Sequence, residues 1–504
     1  MSHTSTELLP FGYSAPLTEL NKMMERFHYF IRHAKLDSKT YQEEGVKWCV
    51  YRELVDRCDG EKRGGFLSDE MGLGKTITML GTIFTNFRKG RSTLIVLPCI
   101  LLKQWYVEIL RMTGRKSVIF HGKGKKVLKK EDLEQSPIVL TTYGSLSKHS
   151  CLFDVKWFRV VYDEAHHLRN KNTIIHQRAM FIKTKICWFV SGTPIQNKIA
   201  DFKNVCLILG IHITSMNVLQ EVIQTSVLKR IKKTADIVIP EISYENIDVE
   251  WKDDNEKTIS DGFHELLKFR KTEQTDQMEE ALNAYNISEW NFHTTFLTAL
   301  NKLYPSKELV LLNTIKSRQM CVLPSLVGKL LTKLADLIPS TESNEWNRII
   351  QSLPRYQSKI KSVVNKLIER KGAEGKLVFC HFREEMAKIK QMLCERGFDE
   401  NEISIIDGSV SSKKRSICIN QHPKILILQI QTACEGLNLQ EHYSEIYFVS
   451  PNWNPAIEQQ AIARCHRIGQ QKQVYVFRFY MTEKSTTIEE WIFIKQKKKI
   501  KHYL

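Results

Sequence analysis

Four short segments hold the residue types that phosphoryl transfer needs. The first, DEMGLGKT at Asp69 to Thr76, follows the apolar pair Phe66 and Leu67 and precedes the helix-like ITMLGTIF. Glycines such as Gly72 and Gly74 let backbone N–H groups close around phosphate oxygens. Lys75 would neutralise the outer phosphates, and the Thr76 hydroxyl would reach a magnesium ion. Asp69 stands where the usual GxxxxGKT pattern opens with glycine, so the match is to its second half, which taken alone also suits a structural turn. The second segment, DEAH at Asp163 to His166, ends the apolar run FRVVYD and so places two carboxylates at the carboxyl edge of a parallel sheet, where ligands of such sheets bind. There Asp163 would hold magnesium through water, and Glu164 would orient or deprotonate the attacking water. The plain alternative is an acidic strand end with His166 capping a helix.

The third segment is SGTPIQN at Ser191 to Asn197, and the fourth is QQAIARCHRIGQ at Gln459 to Gln470. Arg464 and Arg467 sit three apart, so a helix would put both on one face, able to reach the same γ-phosphate. An isolated pair of this kind would equally be an exposed, salt-bridged helix. A phosphate cradle, an acidic magnesium motif and a twin-arginine segment in that order are far more specific than any one of them.

These segments must be positioned by two sheets. Apolar runs at Leu94 to Pro98, Ile138 to Thr142, Phe158 to Asp163 and Cys187 to Ser191 read as buried parallel strands. The same rhythm returns at Lys376 to Cys380, Lys424 to Leu428, Glu445 to Val449 and Val474 to Phe479. The expected architecture is therefore α/β, with two parallel-sheet lobes. Between them, Asp253 to Asn347 is rich in Lys, Glu, Gln, Leu and Asn and reads as helical, preceded by a strand-like alternation from Ile242 to Trp251. The division expected is an N-terminal extension over 1–30, a first lobe over 31–235, a helical insertion over 236–350 and a second lobe over 351–504.

The 504 residues exceed one core and suit two domains of ordinary size. Lys and Arg total 74 against 56 Asp and Glu, a formal net charge of +18 that suits a polyanionic partner as well as a generally basic surface. Twelve scattered cysteines without a CxxC pair point to neither a zinc module nor a disulfide framework. With no signal-like start and no long apolar run, the expectation is a soluble intracellular protein. The basic end KQKKKIKHYL reads as a solvated helix end or a phosphate-touching tail.

Taken together, DEMGLGKT, DEAHHLRN, SGTPIQN, NWNP at Asn452 to Pro455 and RCHRIGQ at Arg464 to Gln470 resemble the Swi/Snf-related ATPases of helicase superfamily 2, over about Tyr41 to Phe479. YQEEGVKW at Tyr41 to Trp48 and LKRIK at Leu228 to Lys232 are similar to smaller motifs of that family. The resemblance implies two RecA-like P-loop lobes with ATP and magnesium in the cleft and double-stranded DNA across both. It implies adenine contact by Gln42 and a nucleotide site built from Asp69, Glu70, Met71, Gly72, Leu73, Gly74, Lys75, Thr76 and Gly436, with metal held by Thr76 and Asp163. Catalytic roles fall to Lys75, Asp163, Glu164 and Gln196, with Arg464 and Arg467 as arginine fingers. DNA contacts fall to Gln104 in the segment after Pro98, to Thr141, Thr142, His381, Gly408 and Ser409, and to Trp453. One departure is Ala433 and Cys434, where the family usually has two glycines, which touches the coupling of DNA contact to hydrolysis. The partners implied are duplex DNA, nucleosomes or a transcription complex. The compartment implied is the nucleus, or a viral replication compartment if this short-flanked motor comes from a large DNA virus.

Overall fold

A computed structural model describes residues 17–55, 60–148, 150–192, 199–235, 239–268, 306–337, 343–372, 375–433, 438–482 and 487–503. Contacts divide the chain into two units, one of Met1–Ile239 with Arg467–Gly469, the other of Pro240–His466 with Gln470–Leu504.

The first unit is built on a seven-stranded sheet. Its strands are β1 (Arg63–Leu67), β2 (Thr93–Leu97), β3 (Val118–Phe120), β4 (Ile138–Thr142), β5 (Arg159–Asp163), β6 (Ile186–Val190) and β7 (Val227–Leu228), in the order β3-β4-β2-β5-β6-β1-β7. Every pairing is parallel. The runs are apolar at consecutive positions because both faces are covered. Along β2, Ile95 and Leu97 enter one core cluster while Leu94 and Val96 enter another. Helices Leu17–His33 and Thr40–Leu54 cover the first of these faces through residues such as Leu20, Phe27, Val46 and Val50.

One ion pair lies inside that layer. Glu53 takes both its oxygens to the Arg159 guanidinium on β5, and also accepts from Trp188 Nε1 at 2.8 Å and Asn86 Nδ2 at 2.7 Å. A buried carboxylate is tolerable only when its lone pairs are used in this way. Through it the second helix is registered against β5, β6 and the end of the helix that follows β1.

The second unit carries β8 (Ile242–Val249), β9 (Gly375–Cys380), β10 (Ile403–Ile406), β11 (Ile425–Gln429), β12 (Tyr443–Phe448) and β13 (Val474–Met481), ordered β10-β11-β9-β12-β13-β8 and again all parallel. Ile425 and Ile427 face one cluster, Leu426 and Leu428 the other. The eight strands expected from sequence are all present, and the alternating stretch near Ile242 is the edge strand β8, whose outer positions are exposed. Helices Asp254–Lys268, Ser306–Val322, Gly328–Ala335 and Ser343–Ser352 form the helical part, with their own core of Phe263, Met320, Leu331 and Trp346. Two RecA-like lobes with a mainly helical segment are thus the architecture. Among the described residues no helix is long and apolar enough to cross a membrane.

Candidate nucleotide site

In the first unit the chain leaves β1 at Leu67, runs through Ser68 to Gly74, and enters the helix Lys75–Thr85. Two glycines make that path possible: Gly72 has φ 92° and Gly74 φ 77°, the left-handed region that side chains disfavour. A Cβ at Gly74 would also land 2.6 Å from Gln42 Nε2. The left-handed turn therefore disfavours a side chain at either glycine, and the helix presents its free N–H groups at a bare backbone. That helix has no acidic residue in its first turn, so nothing within it neutralises the positive end of its dipole.

The acidic residues of the loop face away from this end. The buried Asp69 carboxylate receives the Arg230 guanidinium in a forked pair, with Nε to Oδ1 at 2.9 Å. The same guanidinium donates to the Tyr41 carbonyl and lies over the Tyr41 ring. Glu70 Oε2 accepts from the backbone N–H of Lys232 at 2.7 Å. The Leu73 carbonyl accepts from Tyr41 Oη at 3.1 Å and from Gln42 Nε2 at 3.4 Å. Asp69, Glu70 and Leu73 are in this way used to hold the loop's shape. Arg230, inside the Leu228 to Lys232 segment, emerges as its central brace.

Lys75 Nζ donates to the carbonyl of Asp69 at 2.9 Å, and an added Cβ at Gly192 would sit 3.3 Å from it and 2.9 Å from the Met71 side chain. Ser191 and Gly192, the start of the third motif, therefore lie beside the lysine. Thr76 occupies the second position of the helix, half-buried. Gln196 and Gly436 lie outside the described residues, as does Cys434, and nothing is described of the Ala433 side chain.

Asp163 ends β5, one strand away from β6 and two from β1. It is buried, with Oδ2 accepting from Trp105 Nε1 at 2.7 Å and Oδ1 from the Glu164 N–H at 3.0 Å. Burial first, then the neighbouring Glu164 charge, pushes its pKa up to about 7, while Trp105 and Lys75 pull it back. Glu164 itself has φ 51°, rare for a residue with a side chain, and its Oε2 lies 3.3 Å from His166 Nδ1 without hydrogen-bond geometry. A strained backbone beside a buried carboxylate of raised pKa is the type of arrangement found at working sites.

The expected DNA-facing residues divide. Gln104 lies on the helix Leu102–Thr113 with a buried Oε1 that has no hydrogen-bond partner. Thr141 is fully buried, its hydroxyl donating to the Phe120 carbonyl at 2.9 Å, so its side chain is not presented to a phosphate. Thr142 is buried too, bonded to Ser145 Oγ and His121 Nδ1, both at 3.1 Å.

In the second unit, His381 follows β9 half-buried. Burial and the Arg318 and Lys359 charges hold its pKa well below the usual histidine range, so it is a neutral imidazole. Gly408 and Ser409 are exposed, with Ser409 Oγ donating to Asp407 Oδ1 at 2.6 Å. Trp453 meets the Trp491 ring edge-on at 5.5 Å between centroids. Asn454 caps the helix Pro455–Ile462 by accepting the Ala456 N–H at 3.1 Å.

One expectation is corrected here. The helix ends at Ile462, so Arg464 and Arg467 do not share a helical face. The Arg464 carbonyl accepts from the Leu439 N–H at 3.1 Å, and Gln470 Nε2 donates to the Tyr443 and Cys465 carbonyls at 3.1 Å each. Carbonyls that would continue the helix are thereby diverted, and the segment becomes a pinned turn.

Residues 41–217 match the SNF2-related domain and residues 358–469 the helicase conserved C-terminal domain, together more than half of the chain. The chain belongs to the SNF2-related family. It is accordingly a helicase-like ATPase of superfamily 2, and ATP use goes with that membership. A probable global transactivator of Orgyia pseudotsugata multicapsid polyhedrosis virus is 27% identical over 91% of this chain and 89% of its own length. An uncharacterised ATP-dependent helicase of Mycoplasma genitalium is 25% identical over 92% of this chain, and the chromodomain-helicase-DNA-binding protein 1-like of Danio rerio is 25% identical over 92%. The chain spans only 42% and 43% of those two proteins. A solved SWI2/SNF2 ATPase core of Sulfolobus solfataricus in complex with dsDNA covers 93% of this SNF2-related chain and 92% of its own, at 20% identity and a TM-score of 0.39.

Proposed function

We propose that this protein is a DNA-dependent ATPase that translocates on double-stranded DNA and remodels protein–DNA complexes. The observation that carries the reading is the bare, glycine-turned helix end at Gly74 and Lys75, on the same sheet edge as the buried Asp163 and the strained Glu164. The residues fit a magnesium nucleotide. The left-handed turn at Gly74 leaves the helix end as bare backbone, and a carboxyl pushed up to about 7 is one that a divalent cation would bring back to its charged form.

When bound, the nucleotide supplies the phosphoanhydride to be broken and the cation polarises it. The loop N–H groups and Lys75 would bind the phosphates, while Thr76 and Asp163 would hold the cation. Gln42, packed on the loop, sits by the base. Glu164 accepts the proton of the attacking water, and Gln196 acts beside it. Arg464 and Arg467 bring positive charge to the transferred group. Gln104, His381, Gly408, Ser409 and Trp453 are the residues we assign to the duplex, where contacts to phosphate position without reading sequence; the buried Thr141 and Thr142 are not among them.

A second reading, an ATPase acting on a polymerase complex, is favoured by the viral relative described as a global transactivator. Turnover measured side by side with no nucleic acid, single-stranded DNA, duplex DNA and nucleosomes tests the first. Duplex should stimulate strongly, and an unchanged rate would remove the translocase assignment. Recovery of polymerase subunits on the immobilised protein, without duplex stimulation, would favour the second.

A further inference from the structure

At the amino ends of the strands of the first sheet, the edge opposite the phosphate loop, lies a cavity of about 1020 Å³. Among the described residues, eight arginine and lysine side chains line it and no aspartate or glutamate does. Lys89, Arg91, Lys156, Lys183 and Lys185 make no ion pair among the described residues. Arg88 reaches Glu19 at 3.7 Å with both side chains half exposed, a contact of little strength. In a chain with 56 acidic residues, so many unneutralised cations around one concavity raise its potential and concentrate an anion there.

A second hollow adjoins this cavity. Arg26, Phe87 and Lys89 are shared with a second hollow of about 610 Å³, floored by Phe30, Ile83, Phe84, Ile109, Met112 and Ile138 and rimmed by Arg115 and Lys116, again without a carboxylate. The two hollows adjoin, a cationic one beside an apolar one, with Arg26, Phe87 and Lys89 between them. A compact polyphosphate would use only the first. A duplex is a stiff convex rod whose backbone offers nothing to the second. A flexible peptide uses both.

We propose that this pair of hollows docks an acidic partner segment in which aspartates and glutamates alternate with large apolar side chains, the charges meeting Lys156, Lys183 and Lys185 and the apolar residues filling the floor beneath Phe87. The site is distinct from the nucleotide loop, and the proposal stands independently of the DNA reading. Neutralising exposed cations one at a time costs little, on the order of a fewfold each, so several must be reversed together.

The test uses the full chain and three fluorescent probes: a 20-residue Asp/Glu peptide with Phe or Leu at every fourth position, the same peptide with Ser at those positions, and a 20-base-pair duplex. The expected result is that the first peptide binds and that Lys156→Glu with Lys183→Glu and Lys185→Glu weakens it about tenfold or more. Duplex affinity, basal turnover and the melting temperature should hold in that variant, and the Ser peptide should bind about tenfold more weakly than the first. Failure of the first peptide to bind would overturn the proposal, as would equal binding of the Ser peptide, or a loss of duplex affinity matching the loss of peptide.

Discussion

Two strand-to-helix turns, one after β1 in the first sheet and one after β9 in the second, are built in opposite ways. In the first unit the chain leaves β1 through a seven-residue loop that turns on two left-handed glycines, and delivers a helix whose first turn carries no acid. In the second it leaves β9 through only His381 and Phe382 and enters the helix Arg383–Glu395, with Glu384 and Glu385 in its first turn. Glu385 folds back so that one carboxylate oxygen accepts both the His381 and the Phe382 N–H at 3.0 Å. Both helix ends call for an anion. The second unit fills its own with an acceptor from the chain, whereas the first carries no acid in its first turn and engages its nearby carboxylates with Arg230 and Lys232. On the proposed reading, the turn after β1 suits a phosphate and the turn after β9 does not.

Breaking the open end should have the largest effect. Lys75→Ala or Glu164→Gln is expected to abolish turnover while sparing DNA binding, and Arg464→Ala or Arg467→Ala to cost on the order of 10³ in turnover. Steady-state ATPase assays with a parallel DNA-binding titration check this, and retained turnover in all four variants would sink the assignment of the site. Next comes the brace. Arg230→Ala leaves the buried Asp69 without its partner and should destabilise the first unit by about 3–5 kcal/mol, with weaker nucleotide binding. Unfolding of the variant with and without nucleotide measures both, and a wild-type melting curve would show that the loop holds its shape without the guanidinium.

The closed end offers smaller, sharper tests. Glu385→Ala strands two backbone donors and should cost about 1–3 kcal/mol in the second unit with no change in nucleotide affinity. A fall in nucleotide affinity equal to that of Arg230→Ala would erase the contrast between the two ends. Glu385 is also pushed up from 4.5 to about 7 by burial. The folded chain therefore holds this proton more tightly than the unfolded chain, and stability falls as pH rises between those two values, then levels. Melting curves from pH 4.5 to 8 should show that slope, and Glu385→Gln should remove it. Smallest of all, Ser409→Ala at an exposed turn should shift stability by less than about 0.5 kcal/mol, read from the same curves.

Much of this was legible in the sequence because it is local. Long, doubly buried strands such as β5 and β11 carry unbroken apolar runs, and a glycine-lysine-threonine turn or a strand ending in two acids can be read within a dozen residues. Four strands escaped: β3 has three residues, β7 two and β10 four, and β1, RGGFL, offers only the apolar pair Phe66 and Leu67. The helix Leu17–His33 lay partly within what the sequence suggested was an extension, since its amphipathic stripe carries no motif. What no window could show was pairing at a distance. Arg230 reaches Asp69 across 161 residues, and Arg159 reaches Glu53 across 106. The twin arginines were misread for a related reason: their spacing is helical, and only the competing bonds from Leu439 and Gln470 turn the segment aside.

The edge strand β8 sets the order in which the chain can fold as it leaves the ribosome. All seven strands of the first sheet are made by Leu228, so that lobe can close early. Ile242–Val249, by contrast, emerges next and pairs only with Val474–Met481, the last strand synthesised. For more than two hundred residues of translation its backbone donors and acceptors have no sheet to join. Ser243, Glu245, Asn246 and Asp248 along it are polar, the kind of residue that discourages a bare strand edge from pairing with another chain.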